Sequence, residues 1–255
     1  MERVVIKKKG HGNEMKYGWI APAGEKRKDF KVIEYIIESS DKIYRYALDK
    51  APELTKEMNR YSPSGKERDA KTILANCFAG CIAEAAIIYR LNAYAKELKK
   101  NVQAKPTLFD KNRDEDQVDI LVYEKDNAEA SPVSIEVRSS YGAVQNNFKR
   151  YTEWFSIVGN YTSENKGKEL VKDYYITVIF NFPQEDMYQK MADKEPVYFQ
   201  LAAGCSRDFL EKNGEVDDLK NEGAEYMIVK PLIKGCSVDE VMNQIFDNFS
   251  LQGDC

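Results

Sequence analysis

The chain has 255 residues, 43% of them hydrophobic and 31% charged, with a formal net charge of −4. That balance excludes a disordered chain, argues against a simple nucleic-acid coat protein and allows a sizeable buried core. With one histidine and an odd five cysteines, His-based nucleophilic catalysis and a zinc site are poor fits, and buried free thiols are expected.

The N-terminus, "MERVVIKKKG", has no apolar stretch of signal-peptide length. No apolar run is read as approaching the roughly 20 residues that cross a bilayer, so the cytosol is the expected compartment. Charge is unevenly spread. Residues 1–72 hold 17 Lys+Arg against 12 Asp+Glu, a net of +5, which leaves −9 on the remainder. A basic segment beside an acidic one suits a phosphate-binding face next to a carboxylate site, although solvated helix faces are the plainer account.

Residues 1–30 read as short strands and loops. From Phe30 to about Ala47, "FKVIEYIIESSDKIYRYAL" repeats apolar residues at helical spacing, which predicts a first helix. "APELTKEMNRY" predicts a second, "SPSG" breaks the chain, and a third runs from about Arg68 to Lys99. Its centre, "NCFAGCIAEAAIIYRL", is apolar nearly all round and should be buried. "NVQAKPTLF" is a candidate strand interrupted by Pro106. "QVDILVYE" and "PVSIEVRSS" flank the turn "KDNAEAS" and predict an antiparallel hairpin. "VQNNFKRYTEWFSIV" resumes helical spacing, and "YYITVIFNF" has the unbroken apolar run of a strand buried on both faces. "PVYFQLA" and "EYMIVKPLI" read as further strands, "SRDFLEK" and "SVDEVMNQIFDNF" as helices, with Ser237 and Glu240 as a capping box. The order predicts an α/β or α+β fold, a mixed central sheet flanked by helices, with a helical N-terminal extension over residues 1–71 and a core over 72–255.

One group of residues bears on chemistry. Asp119 opens the first hairpin strand and Glu136 follows 17 positions later on the second, with Arg138 on the same face of that strand. A hairpin makes Asp119 and Glu136 neighbours, and two close carboxylates repel unless a cation lies between them. Hard oxygen ligands suit Mg²⁺ or Mn²⁺. The same residues would also serve as a surface ion pair beside a turn aspartate. Glu84 tips the balance, because it lies among Gly80, Cys81, Ile87 and Ile88 on the apolar helix, where an ionised carboxylate is costly without a cation or strong donors.

A helix with a glutamate, a hairpin reading D…(I/V)E-x-K, then a helix and a buried strand resembles the PD-(D/E)XK nuclease superfamily, over about residues 72–182. The resemblance implies a restriction-endonuclease-like fold and a Mg²⁺- or Mn²⁺-dependent DNA endonuclease. It implies Glu84 as the helix acid, facing the same metal site as Glu136 and binding the metal or its waters, Asp119 and Glu136 as metal ligands, and Gln145 as a further site residue. Arg138 stands where the family has lysine; arginine cannot act as a base but can stabilise charge on phosphate. DNA contacts are expected from Lys26, Arg27, Lys28, Lys66, Arg68, Lys149 and Arg150, and cutting both strands implies a homodimer. The other classes kept open are the same fold without catalysis, used for DNA binding or assembly, and an α/β interaction protein without metal.

Overall fold

The computed structural model describes residues 3–4, 15–19, 30–58, 60–61, 67–107, 118–127, 131–142, 154–163, 167–219 and 223–250. Eight strands form the main sheet: β1 (Arg3–Val4), β2 (Met15–Trp19), β3 (Phe30–Ile37), β4 (Val102–Pro106), β5 (Ile120–Glu124), β6 (Val133–Tyr141), β9 (Tyr174–Phe180) and β10 (Val197–Ser206). Their spatial order is β1-β2-β3-β10-β9-β6-β5-β4. Neighbours run antiparallel except β6 and β9, which are parallel. A second sheet, order β11-β12-β7-β8, is built from β7 (Ile157–Ser163), β8 (Gly167–Lys168), β11 (Glu215–Asp217) and β12 (Glu225–Val229). The fold is thus mixed α+β, as expected, with helical structure in the N-terminal part.

The helices are α1 (Lys42–Glu57), α2 (Ala70–Glu97), α3 (Asp186–Ala192), α4 (Arg207–Asn213) and α5 (Val238–Ser250). Helix α2 begins at Asp69, whose side chain accepts the Thr72 backbone N–H at 2.9 Å and so satisfies one of the free donors of the first turn. At its far end Asn92 bonds both the backbone N–H and C=O of Ala104, fixing β4 against the helix. By length and apolar composition α2 is able to cross a membrane, contrary to the expectation that no run is long enough. Its apolar surface is instead taken up by the core, where Phe78, Ile82 and Ile87 are fully buried. The expected buried helix is therefore there.

Alternation along β6 and β9 divides the sheet into two faces. Ile135 and Val137, beside Ile176 and Val178, pack into the core with α1, α2 and α5. Tyr175 and Ile179 point the other way, into a smaller core with Ile157, Leu210 and Val229 from β7, α4 and β12.

The segment from Phe30 departs from the helix expected there. Residues 30–37 form β3, and the helix starts at Lys42. Phe30 and Val32 enter the smaller core, whereas Ile33, Tyr35 and Ile37 enter the larger one. A strand buried on both faces gives a continuous apolar run that periodicity alone cannot separate from a buried helix. "APELTKEM" continues α1 through Pro52 and forms no second helix. The "FSIV" end of the helix expected at 144–158 supplies the start of β7; residues 143–153 lie outside the described residues. The hairpin is confirmed, with Ile120 opposite Ile135 and Val122 opposite Val133. At α5 the Glu240 carboxylate accepts from the Ser237 backbone N–H and hydroxyl, at 2.7 and 2.8 Å.

Candidate functional site

The register that pairs Ile120 with Ile135 places Asp119 across from Glu136. Asp119 Oδ2 accepts the Val137 backbone N–H at 2.7 Å, so the carboxylate is fixed at the end of the hairpin ladder. Burial pushes this carboxyl up, while the Val137 N–H and the charges of Arg138 and Lys172 pull it down; the net direction is upward.

Glu136 is buried, at 6% exposure. One of its oxygens, Oε1, lies 3.2 Å from Arg138 Nη1. The other, Oε2, is buried without a hydrogen-bond partner among the described residues. Burial and then the charge of Asp119 raise the Glu136 carboxyl, and Arg138 opposes them. Arg138 is more fully engaged. Its Nη2 lies 2.5 Å from each carboxylate oxygen of Glu169, and its guanidinium sits 5.7 Å from the centre of the Tyr161 ring. Burial works to lower its pKa, but Glu136, Glu169 and Asp119 outweigh that and hold it above its ordinary value. Glu169 is itself anchored to β7, since its Oε2 accepts the Tyr161 N–H at 3.2 Å.

Lys172 completes the group. It is 1% exposed, and its ammonium nitrogen has no hydrogen-bond partner among the described residues. Its charge acts on both Asp119 and Glu136. Neither Glu169 nor Lys172 was singled out from the sequence. In "GKELVKDYY" they look like solvated charges before a strand, which is what lysine and glutamate usually are.

Glu84 stands apart from this group. It lines a cavity of about 230 Å³ on the α2 face with Asp119, Arg68, Gly80, Cys81 and Val137. Burial, and then the charge of Asp119, pushes the Glu84 carboxyl up to about 8. Glu136 and Arg138 share the face of Tyr175, away from α2. The acids thus form two pairs, Glu84 with Asp119 and Glu136 with Asp119. Among the described residues no three His, Cys, Asp or Glu side chains converge as a metal group. Arg90, farther along α2, pairs with Asp239 at 2.6 Å.

Cys77 and Cys81 are buried free thiols, as expected from the cysteine and histidine counts; burial, then the charges of Glu84 and Cys77, pushes Cys81 up to about 12. Of the expected DNA contacts, Arg68 lines the Glu84 cavity. Lys26, Arg27, Lys28, Lys66, Lys149 and Arg150 lie outside the described residues, as does Gln145.

The arrangement can hold a hard cation only in part through protein. Glu136 Oε2 is an open, buried acceptor beside Asp119, and a Mg²⁺-type ion needs only one or two carboxylates when waters and phosphate complete its shell. Glu84, beyond Asp119, is placed to act on such a shell through water, not as a third direct ligand.

No family model matches the chain, and no solved structure matches it. The chain is similar to an uncharacterised protein of Methanocaldococcus jannaschii, 28% identical over 247 residues and covering 88% of each chain.

Proposed function

We propose that the protein is a divalent-metal-dependent endonuclease that hydrolyses phosphodiester bonds in DNA, of restriction type, working in the cytosol as a homodimer. The observation that carries this reading is the open, buried Glu136 Oε2 beside Asp119 at the end of the hairpin. A buried carboxylate oxygen left unbonded is costly, and a cation is the partner that best removes the cost. The chain order helix, strand, hairpin, parallel strand, as in α2, β4, β5, β6 and β9, supports the reading and is what the resemblance to PD-(D/E)XK nucleases implies.

Asp119 and Glu136 are the residues that would hold Mg²⁺ or Mn²⁺. When bound, such an ion polarises a phosphate oxygen and makes its own water acidic. Arg138 keeps the Glu136 carboxylate turned by binding one of its oxygens, and Glu169 keeps Arg138 in place. Glu84 lines the same cavity as Asp119 and would act there on the waters of the ion. The basic stretch at residues 26–28, with Arg68 by the cavity, supplies charge for the DNA backbone.

A second reading also has an observation behind it. Both Nη atoms of Arg138 are bound by Glu169 and Glu136, and only its buried Nε has no hydrogen-bond partner among the described residues. A site in which that residue is purely structural would suit a nuclease fold kept for DNA binding. Plasmid cleavage with Mg²⁺ or Mn²⁺ separates the two. The nuclease reading expects nicking by the wild type and at least a hundredfold loss in Glu136→Ala and Asp119→Ala, with both variants folded. Wild-type rates in either variant would sink it, and DNA binding without cleavage would favour the second reading.

A further inference from the structure

We propose that the cavity between α2 and the turn before α3 is a nucleobase site, which takes an unpaired adenine from the DNA strand. The inference rests on the nuclease reading above and adds to it the base that is read.

The cavity measures about 340 Å³, and its walls include Lys71, Asn76, Gln184, Glu185 and Tyr188. That is the low end of the roughly 300–1,000 Å³ of small-molecule sites, room for one flat heterocycle. Lys71 and Glu185 bring opposite charges to it, which suits a neutral ring better than a phosphate.

Two amides form its polar wall. Gln184 Nε2 donates to Asn76 Oδ1 at 2.8 Å, joining the turn after β9 to α2. The bond uses the nitrogen of one amide and the oxygen of the other. It spares a donor, Asn76 Nδ2, and an acceptor, Gln184 Oε1. An adenine edge matches that pair, since its amino group donates and the neighbouring ring nitrogen accepts, and Asn and Gln are the side chains that read it. Tyr188 supplies the flat surface. It packs on the larger core, and Lys71 Nζ stands 5.2 Å from its ring centre. A cation over the ring marks a face that can be covered, and the exposed lysine stem yields to a stacking base. Stacking on both the ring and the amide edge requires a base that has left its duplex.

The wall is held in place. The N–H groups of Asp186 and Met187 donate to the carbonyls of Pro183 and Gln184, each at 3.1 Å, and Met187 is fully buried. Asn76 also lines the cavity of Glu84 and Asp119, so the two cavities meet at one side chain. A base held on one side of Asn76 leads its strand toward the acids on the other.

Fluorescence anisotropy of labelled single strands, without divalent metal so that nothing is cut, tests this on the whole chain. The wild type should bind oligodeoxyadenylate about tenfold more tightly than oligodeoxythymidylate of equal length. Gln184→Met and Asn76→Leu should each remove that preference. Tyr188→Ala should lose affinity for the adenine strand, and Tyr188→Phe should keep it. Gln184 is exposed, so the fold tolerates its exchange. A second measurement needs no substitution: in ¹⁵N-labelled protein the adenine strand should shift the side-chain amide signals of Asn76 and Gln184, and the thymine strand should not. Equal binding of the two strands, binding of neither, or a preference that survives both amide substitutions overturns the inference. So does an adenine preference shown by free deoxyadenosine monophosphate but by no strand. DNA cleavage by the wild type together with any of those results removes the base site alone. An adenine preference that depends on the two amides, in a protein that cuts no DNA with Mg²⁺ or Mn²⁺, removes the nuclease reading and keeps the site.

Discussion

Arg138 holds two buried carboxylates, so its removal is first an electrostatic event. Arg138→Ala leaves Glu169 and Glu136 without their cation, and breaking a buried pair from one side costs about 3 kcal/mol or more. Thermal melting should show that loss; a surface ion pair would lose at most about 1 kcal/mol. Arg138→Lys keeps the charge but cannot span both Glu169 oxygens, so it should fall between the two. Glu84 predicts a pH effect of definite sign. Its carboxyl stands at about 8 in the fold against an ordinary 4.5. The folded chain therefore keeps a proton that the unfolded chain releases. Stability is greatest at low pH within this window, falls as pH rises from 4.5 towards about 8, and levels off beyond. The slope from one such group is at most about 1.4 kcal/mol per pH unit. Glu84→Gln should melt higher than wild type at the alkaline end and depend less on pH; identical pH profiles would refute this account. The two residues missed in the sequence, Glu169 and Lys172, show why side chains are harder to read than strands. Their burial comes from β7 and β9 meeting beside β6, and no local spacing encodes that.

Among the elements, α2 was the most legible and β3 the least. The all-round apolar stretch "NCFAGCIAEAAIIYRL" has one stable home, a core, and α2 occupies it. The hairpin of β5 and β6 was equally plain, because alternation and a polar turn have no helical counterpart. For β3, six apolar residues in eight satisfy a helix face and a doubly buried strand alike. Its partner strands decide between them, β2 on one edge and β10, remote in sequence, on the other. The shared face of Glu84 with Glu136 was a related inference from order alone, and strand parity sends Glu136 to the side away from α2. Within α2, a Cβ built at Gly80 meets nothing within 4 Å. Gly80→Ala should therefore stabilise the protein by about 0.5–1 kcal/mol, the ordinary helical difference between the two residues. A drop in melting temperature would show that the cavity beside Asp119 needs that space.

At the scale of the whole molecule, the basic first third is not an appendage in its packing. Ile33, Tyr35, Tyr44 and Ala51 belong to the same core as α2 and β9. A fragment starting at residue 72 should fail to give a cooperative melt, since it lacks β3 and the α1 cover of α2. A soluble, sharply melting fragment would contradict that. The charges at Lys26, Arg27 and Lys28 bear on DNA instead. Reversing all three should weaken DNA binding for every sequence and flatten the dependence of log affinity on log salt. An unchanged slope would return them to the solvated surface.

The pairing of β3 with β10 has a consequence for synthesis. Glu34 is aligned with Gln200, so a strand made early waits for a partner made late. Helix α2 waits as well, because Val241, Ile245 and Phe246 of α5 belong to its core. A nascent chain stopped before β10 therefore carries into solution a long apolar helix and an apolar strand paired on one edge only, by β2, a combination prone to aggregation. Ribosome-bound chains ending near residue 190 should be held by chaperones or sensitive to protease, and those extended past residue 250 should be resistant. The fold closes almost at its last helix.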